Sequence, residues 1–407
     1  EQACRSRAYE GKTAEAIALA RKAIADYPPS TLARLCIANV DYALYQKATT
    51  RADSLRLADS TLAVTNEILR YDSLSVPALK FATELYKVRG DSARSRASAL
   101  ALIKADPTNS ALIESVINEL ALTGHAAEAV PLVKDMLDRN PGDPASMHTA
   151  FSVYYAAEDY ADLVALGPEL LKVDTTTADS TYYLRMATAQ AQLKAPQKAA
   201  ELMAQATAKY PNNADFWMRY YRYLNDAGQT QQAVDALKKA VALDPAHATL
   251  PLAGVYIRQN QPDSVYAILS RFNTTPNLDV GAKSTAAHMA LSQASEASKA
   301  ASASKSDADY ERAIKFAKLS DQIETSDVAK FVAGTAVLQL SQRQLEANVS
   351  AKSCPVAQSV RDNLLYGQTA LKGVAPDSQY GGQAKTFSDF FPQLLAPANA
   401  QIKQFCK

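Results

Sequence analysis

Glycine, tryptophan and histidine are scarce in this chain: 407 residues hold 13 Gly, one Trp and four His. So few glycines argue against a turn-rich β-fold and leave little material for a glycine-rich phosphate loop. The histidines, His125, His148, His247 and His288, include no pair at the i, i+4 spacing of a helical metal site. No His-Glu-x-x-His and no Gly-x-Ser-x-Gly elbow occurs. The adjacent carboxylates Glu158 and Asp159 fall in a turn, where solvation explains them. The reading is a non-enzyme, with no catalytic residue, metal or cofactor assigned.

An excess of one charge is also missing. Lys and Arg number 43 against 42 Asp and Glu, a net +1 with no basic stripe, which speaks against a nucleic-acid partner. No run of about 18 apolar residues occurs, so no membrane-spanning helix is expected. The four cysteines lie near the ends, Cys4 with Cys36 and Cys354 with Cys406. None forms Cys-x-x-Cys, which leaves zinc and thioredoxin-like roles unsupported. An even count near the ends suits terminal disulfides and an oxidising compartment, against four buried thiols in a cytosolic protein. The first residue is Glu1 and not Met, as after leader removal or trimming. Export to a periplasmic, outer-surface or extracellular location is the expectation, with the cytoplasm as the alternative.

What is present is alanine, and a repeat. In Gly11-Lys-Thr-Ala-Glu-Ala-Ile and again from Gly228, Gly is followed by Ala five residues on, by Ala seven further, and by Pro five further. Gly124, Ala129 and Pro141 share the frame, as do Ala199, Ala206 and Pro211. Prolines and their stand-ins fall at 28, 73, 107, 141, 175, 211 and 245, mostly 34 residues apart. Gly supplies the positive φ of the inter-helix turn, Ala lets two helix axes approach, and Pro is read as the stop of the second helix. Trp217, Tyr221, Leu224, Val234, Leu237 and Val241 are the expected filling between neighbouring pairs.

This frame resembles the tetratricopeptide repeat, on Trp217, Tyr221 (in place of the usual Gly), Leu224, Gly228, Ala233, Ala240 and Pro245. The resemblance implies an all-α, α-α superhelical solenoid of about ten helix pairs with a C-terminal helical cap. Seven repeats occupy 1–245, with an insertion near 47–57 in the second; three divergent pairs occupy 246–372. The ninth pair has a long first helix, Val280 to Ala301, and a hinge at Ser302 to Asp307. The tenth runs from Phe331 to Leu340, then through a longer loop carrying Cys354 to Val356–Leu371. The Ser/Thr-rich runs 174–180 and 298–306 read as connectors. The segment 373–407 lacks the repeat and reads as a cap fastened by Cys354–Cys406, or as aromatics that dock on another subunit.

The resemblance further implies a partner-binding concave face on the first helices. Carried over, its positions include Glu114 and Asn118, then His148, Ser152 and Tyr155, then Leu184 and Thr188, then Asp215, Met218, Arg222 and Asn225. Glu114 stands where a carboxylate clamp would place Lys, so a chaperone-tail adaptor is disfavoured. The expectation is a scaffold that binds a protein or peptide segment. End-to-end assembly of identical copies into a filament, or an accessory domain of an enzyme complex, are the alternatives.

Overall fold

The computed structural model describes residues 2–406, and among them every regular element is a helix: twenty-two α-helices and one 3-10 turn. The chain divides into two compact units, Glu1–Ala189 and Gln190–Lys407. In unit 1, α1 (Gln2–Tyr9) pairs with α2 (Thr13–Asp26), and α3 (Thr31–Lys47) with α4 (Arg51–Tyr71). Three further pairs follow: α5 (Val76–Val88) with α6 (Ser92–Ala105), α7 (Ser110–Leu122) with α8 (Ala126–Arg139), and α9 (Pro144–Ala156) with α10 (Tyr160–Val173). The unit ends within α11 (Ser180–Gln192).

Unit 2 holds α12 (Pro196–Lys209) and the pairs α13 (Ala214–Asp226) with α14 (Thr230–Leu243) and α15 (Pro245–Arg258) with α16 (Pro262–Asn273). Two pairs with longer first helices follow: α17 (Val280–Ser304) with α18 (Asp307–Ile323), and α19 (Asp327–Ala351) with α20 (Cys354–Lys372). The last helices are α21 (Gly381–Ser388) and α22 (Phe391–Phe405), of which α22 packs on α19 and α20. The all-α class of consecutive helix pairs read from the repeat is the observed one.

Local chemistry explains the pairing. Helix starts are capped by short polar side chains, as where Asn213 accepts from the Phe216 N–H at 3.2 Å and Asp143 from that of Ser146 at 2.8 Å. Most pairs turn on a left-handed residue, as with Gly124 at φ +79 and Gly228 at φ +75; the α3–α4 connection does not. The same turn is made without glycine by Glu158 at φ +57, Lys194 at φ +59 and Asn260 at φ +52. A Cβ is strained in that region, so Glu158→Gly should raise stability by up to about 1 kcal/mol. A melting temperature unchanged or lowered by that variant would remove this account of the turn.

Small residues line the closest helix contacts. Ala16, Ala129, Ala199 and Ala240 are fully buried, and Ala233 retains only 2% exposure. Ala233→Leu is therefore expected to cost roughly 1–3 kcal/mol through overpacking, read as a lower denaturation midpoint. Trp217, Tyr221 and Val241 pack on the buried Val234 and Leu237, as the sequence indicated. The residue six after the repeat proline adds a tie: Trp217 Nε1 donates to the Pro211 carbonyl at 2.7 Å, and the Arg34 guanidinium does the same to Pro28. These donors satisfy carbonyls that a proline-bearing loop leaves unpaired.

Several local expectations are corrected. Pro245 does not stop α14, which already ends at Leu243; it is the first residue of α15, where a missing N–H costs nothing. In the second pair the extra residues lengthen the helices, and only 48–50 connect α3 to α4. The supposed hinge is helical to Ser304, leaving Lys305 and Ser306 as the connection, because the buried row Ala294, Ala297 and Ala301 keeps that face packed. The serine-rich run 298–306 is thus helix as far as Ser304 and connector only at its last two residues. No longer loop precedes Cys354 either: α19 continues to Ala351 on the buried Leu345 and Asn348, and Cys354 opens α20.

Candidate functional site

The first helices of the pairs carry the residues expected to meet a partner. In unit 1, Glu114 and Asn118 lie on α7, with both side chains exposed and neither making a hydrogen bond or ion pair within the described residues. Beside Asn118 a cavity of about 630 Å³ opens between α6 and α7, floored by Ala99, Val116 and Leu120. On α9, Ser152 is exposed and Tyr155 half-buried. Arg185 of α11 draws these two together: its guanidinium donates to Ser152 Oγ at 3.0 Å and sits 5.2 Å from the Tyr155 ring centroid. Leu184 and Thr188 of α11 are half-buried.

His148 faces a different task. Its Nε2 lies 2.9 Å from Asp174 Oδ2 and 3.3 Å from Thr177 Oγ1. Both partners meet the same ring nitrogen, so the imidazole does not relay a proton from hydroxyl to carboxylate as a catalytic triad requires. Asp174 also accepts from Thr176 N at 3.0 Å and Thr176 Oγ1 at 2.6 Å. Hydrogen bonds from the Thr176 hydroxyl and from His148, in that order, hold the Asp174 carboxyl well below the usual range. A carboxyl depressed in the folded state stabilises above its unfolded pKa, and that contribution is lost as pH falls through the acidic range. The cluster therefore pins the connection between α10 and α11 to α9.

Aromatic residues extend this face towards α3. Tyr42 donates to Glu84 of α5, and its ring stands 4.8 Å from Phe81 and 5.6 Å from Tyr45. Burial, and then the Glu84 carboxylate, push the Tyr42 phenol up to about 12. These residues and Arg185 were not named from the sequence. Tyr42 occupies the twelfth position of its repeat, the same position as Tyr155, which is the signal that identifies it.

In unit 2 the expected residues lie on α13. Asp215 is exposed and pairs with Arg219 at 2.7 Å, which raises the Arg219 pKa further. Arg222 and Asn225 are exposed and without side-chain partners within the described residues. Met218 is instead partly buried against the Val234–Leu237 core and acts as packing. Of the other histidines, His125 precedes α8, and His247 lies in the first turn of α15 with its ring 2.8 Å from Asp244, the residue that caps that helix.

The cysteines are joined as Cys4–Cys36 in unit 1 and Cys354–Cys406 in unit 2. Among the described residues there is no group of three or more His, Cys, Asp or Glu side chains placed to hold a metal ion. No helix among them is long and apolar enough to cross a membrane.

No protein-family model matches the chain. It is similar to the TPR repeat-containing protein YpiA of Bacillus subtilis (strain 168), 26% identical over 180 residues, which are 44% of this chain and 41% of that protein. The chain therefore spans about two-fifths of the length of this relative. A chain in the structure of Naa15/Naa10 bound to HypK-THB matches 97% of this chain and 67% of its own length, at 11% identity and TM-score 0.52, a likeness of fold. YrrB, a TPR protein with an unusual peptide-binding site, matches over 60% of this chain and 97% of its own at 13% identity and TM-score 0.26.

Proposed function

We infer that this chain, built of tetratricopeptide-type repeats, is a scaffold whose first-helix surfaces hold a segment of another protein. The observation that carries this reading is the set of polar side chains left unengaged on those helices: Glu114 and Asn118 in unit 1, Arg222 and Asn225 in unit 2. Other exposed polar groups tie neighbouring pairs together, such as Lys87–Glu119 at 3.0 Å and Arg96–Glu128 at 3.1 Å. Exposed pairs of that kind contribute at most about 1 kcal/mol each, so the packed core holds the stack and the unengaged face is available to a partner. Two disulfide-linked cysteine pairs support an exported protein, since such bonds persist in oxidising compartments.

A photo-crosslinking amino acid at Asn118 or Arg222, used in the source cells, should capture a discrete protein partner. The same group at Glu201 or Lys239, on second helices, should not. Equal capture from all four positions would refute the reading.

A second reading, self-assembly, is favoured by apolar side chains left exposed in unit 2. Leu365 and Phe390 each retain 47% exposure although α22 covers the neighbouring core. Sedimentation velocity at rising concentration decides it: a growing weight-average mass supports assembly, and a constant monomer mass excludes it.

A further inference from the structure

The two disulfides sit in different surroundings. Cys4 and Cys36 are buried between α1 and α3, with 3% and 4% exposure. Cys354 and Cys406 are only half-buried, so solvent reaches part of each residue. Cys354 is the first residue of α20, where the positive pole of the helix favours a thiolate. Cys406 follows the last residue of α22, at a negative pole that disfavours one. An incoming thiol therefore meets an accessible bond with one good leaving group.

What this bond holds also differs. The buried residues of α22 are Phe391, Ala398 and Gln401, so no apolar side chain past Ala398 is fully buried. The contact at Gln401 is polar and leads back to the start of α20. Asn348 Nδ2 donates to Gln401 Oε1 at 2.9 Å and to the Ser353 carbonyl at 3.0 Å, and its Oδ1 accepts from the Ser353 N–H at 2.8 Å. Amides regain hydrogen bonds from water when they separate, so such a contact contributes little net hold. The covalent bond sets how often the end of α22 lifts.

We propose that Cys354–Cys406 is a redox latch and that Cys4–Cys36 is a permanent staple. A dithiol reductant opens the latch in two steps. Its thiolate attacks Cys406 Sγ, the Sγ–Sγ bond breaks, and the electron pair leaves on Cys354 Sγ. Its second thiol then attacks the mixed disulfide and releases Cys406. The dithiol is oxidised to a disulfide, and its two protons pass to the two cysteines. With the latch open, α22 lifts more often past Ala398, while the buried Phe391 keeps the start of the helix docked. The device is independent of what the first helices bind.

Titration of the native protein with dithiothreitol, quenched with N-ethylmaleimide and mapped by peptide mass, tests the order of opening. Cys354 and Cys406 should be alkylated at about tenfold lower dithiol than Cys4 and Cys36. With glutathione, a monothiol, the trapped adduct should sit on Cys406. Hydrogen exchange at the selective dithiol concentration should quicken in 399–406 and stay unchanged in α1 and α3. In Cys354→Ser/Cys406→Ser those amides should exchange quickly with or without dithiol. Cys4–Cys36 opening first or at the same concentration, a glutathione adduct on Cys354, or unchanged exchange in 399–406 after selective reduction would each overturn the proposal.

Discussion

Replacing Phe391 with alanine is expected to destabilise the C-terminal part of unit 2 by roughly 3–5 kcal/mol. The Phe391 side chain is fully buried and belongs to the cluster that includes Val337, Leu340, Val360 and Leu364. Gly367 makes room for it: a Cβ at that position would stand 2.8 Å from Phe391 Cε1 and 2.7 Å from Val337 Cγ1. The ring therefore fills a shaped space, and its removal leaves a cavity that two long helices cannot close. Stacked repeats need not unfold as one block, so the effect is read best by hydrogen exchange resolved along the chain. Amides of α19, α20 and α22 should lose protection while those of unit 1 keep it. Unchanged protection in α22 would contradict its role as a packed cap.

The second large effect concerns the bond that fastens the same helix. Cys354 and Cys406 are 52 residues apart, and opening a loop of that length should cost about 4 kcal/mol through the unfolded chain. Cys354→Ala/Cys406→Ala should therefore shift the denaturation midpoint of this region strongly downwards. The cap has a noncovalent hold as well. The buried Asn348 donates to Gln401 Oε1 at 2.9 Å, and Gln401 Nε2 donates to the Leu345 carbonyl at 2.9 Å. Removing the disulfide should accordingly loosen α22 without detaching it, and combining that change with Gln401→Ala should release it. If the double-cysteine variant melts with the parent protein, the fastening role fails.

The repeat was legible because turn and contact residues recur at fixed spacing. Gly124, Gly228, Ala129 and Ala233 each stand where backbone geometry admits few alternatives. Legibility failed where another element replaced the usual signal. Glu158 and Lys194 make the glycine turn against their preference, and Ser304 and Ala351 lie in helices whose packed faces outlast the repeat pattern. The proposed binding face was legible by position only. Burial separates Met218, which is packing, from Arg222, which is surface, a difference that their apolar and charged side chains already signal. His148 was placed correctly on α9, but its partners Asp174 and Thr177 come from a connection whose path the repeat does not encode.

The central claim is that this molecule binds a protein partner through its first helices. Hydrogen exchange of the full chain, alone and with the partner captured from Asn118, tests it most directly. The account predicts added protection on α7 and α9 in unit 1 or on α13 in unit 2, with the second helices α8 and α14 unchanged. Protection confined to α8 and α14, or none on any first helix, would contradict it.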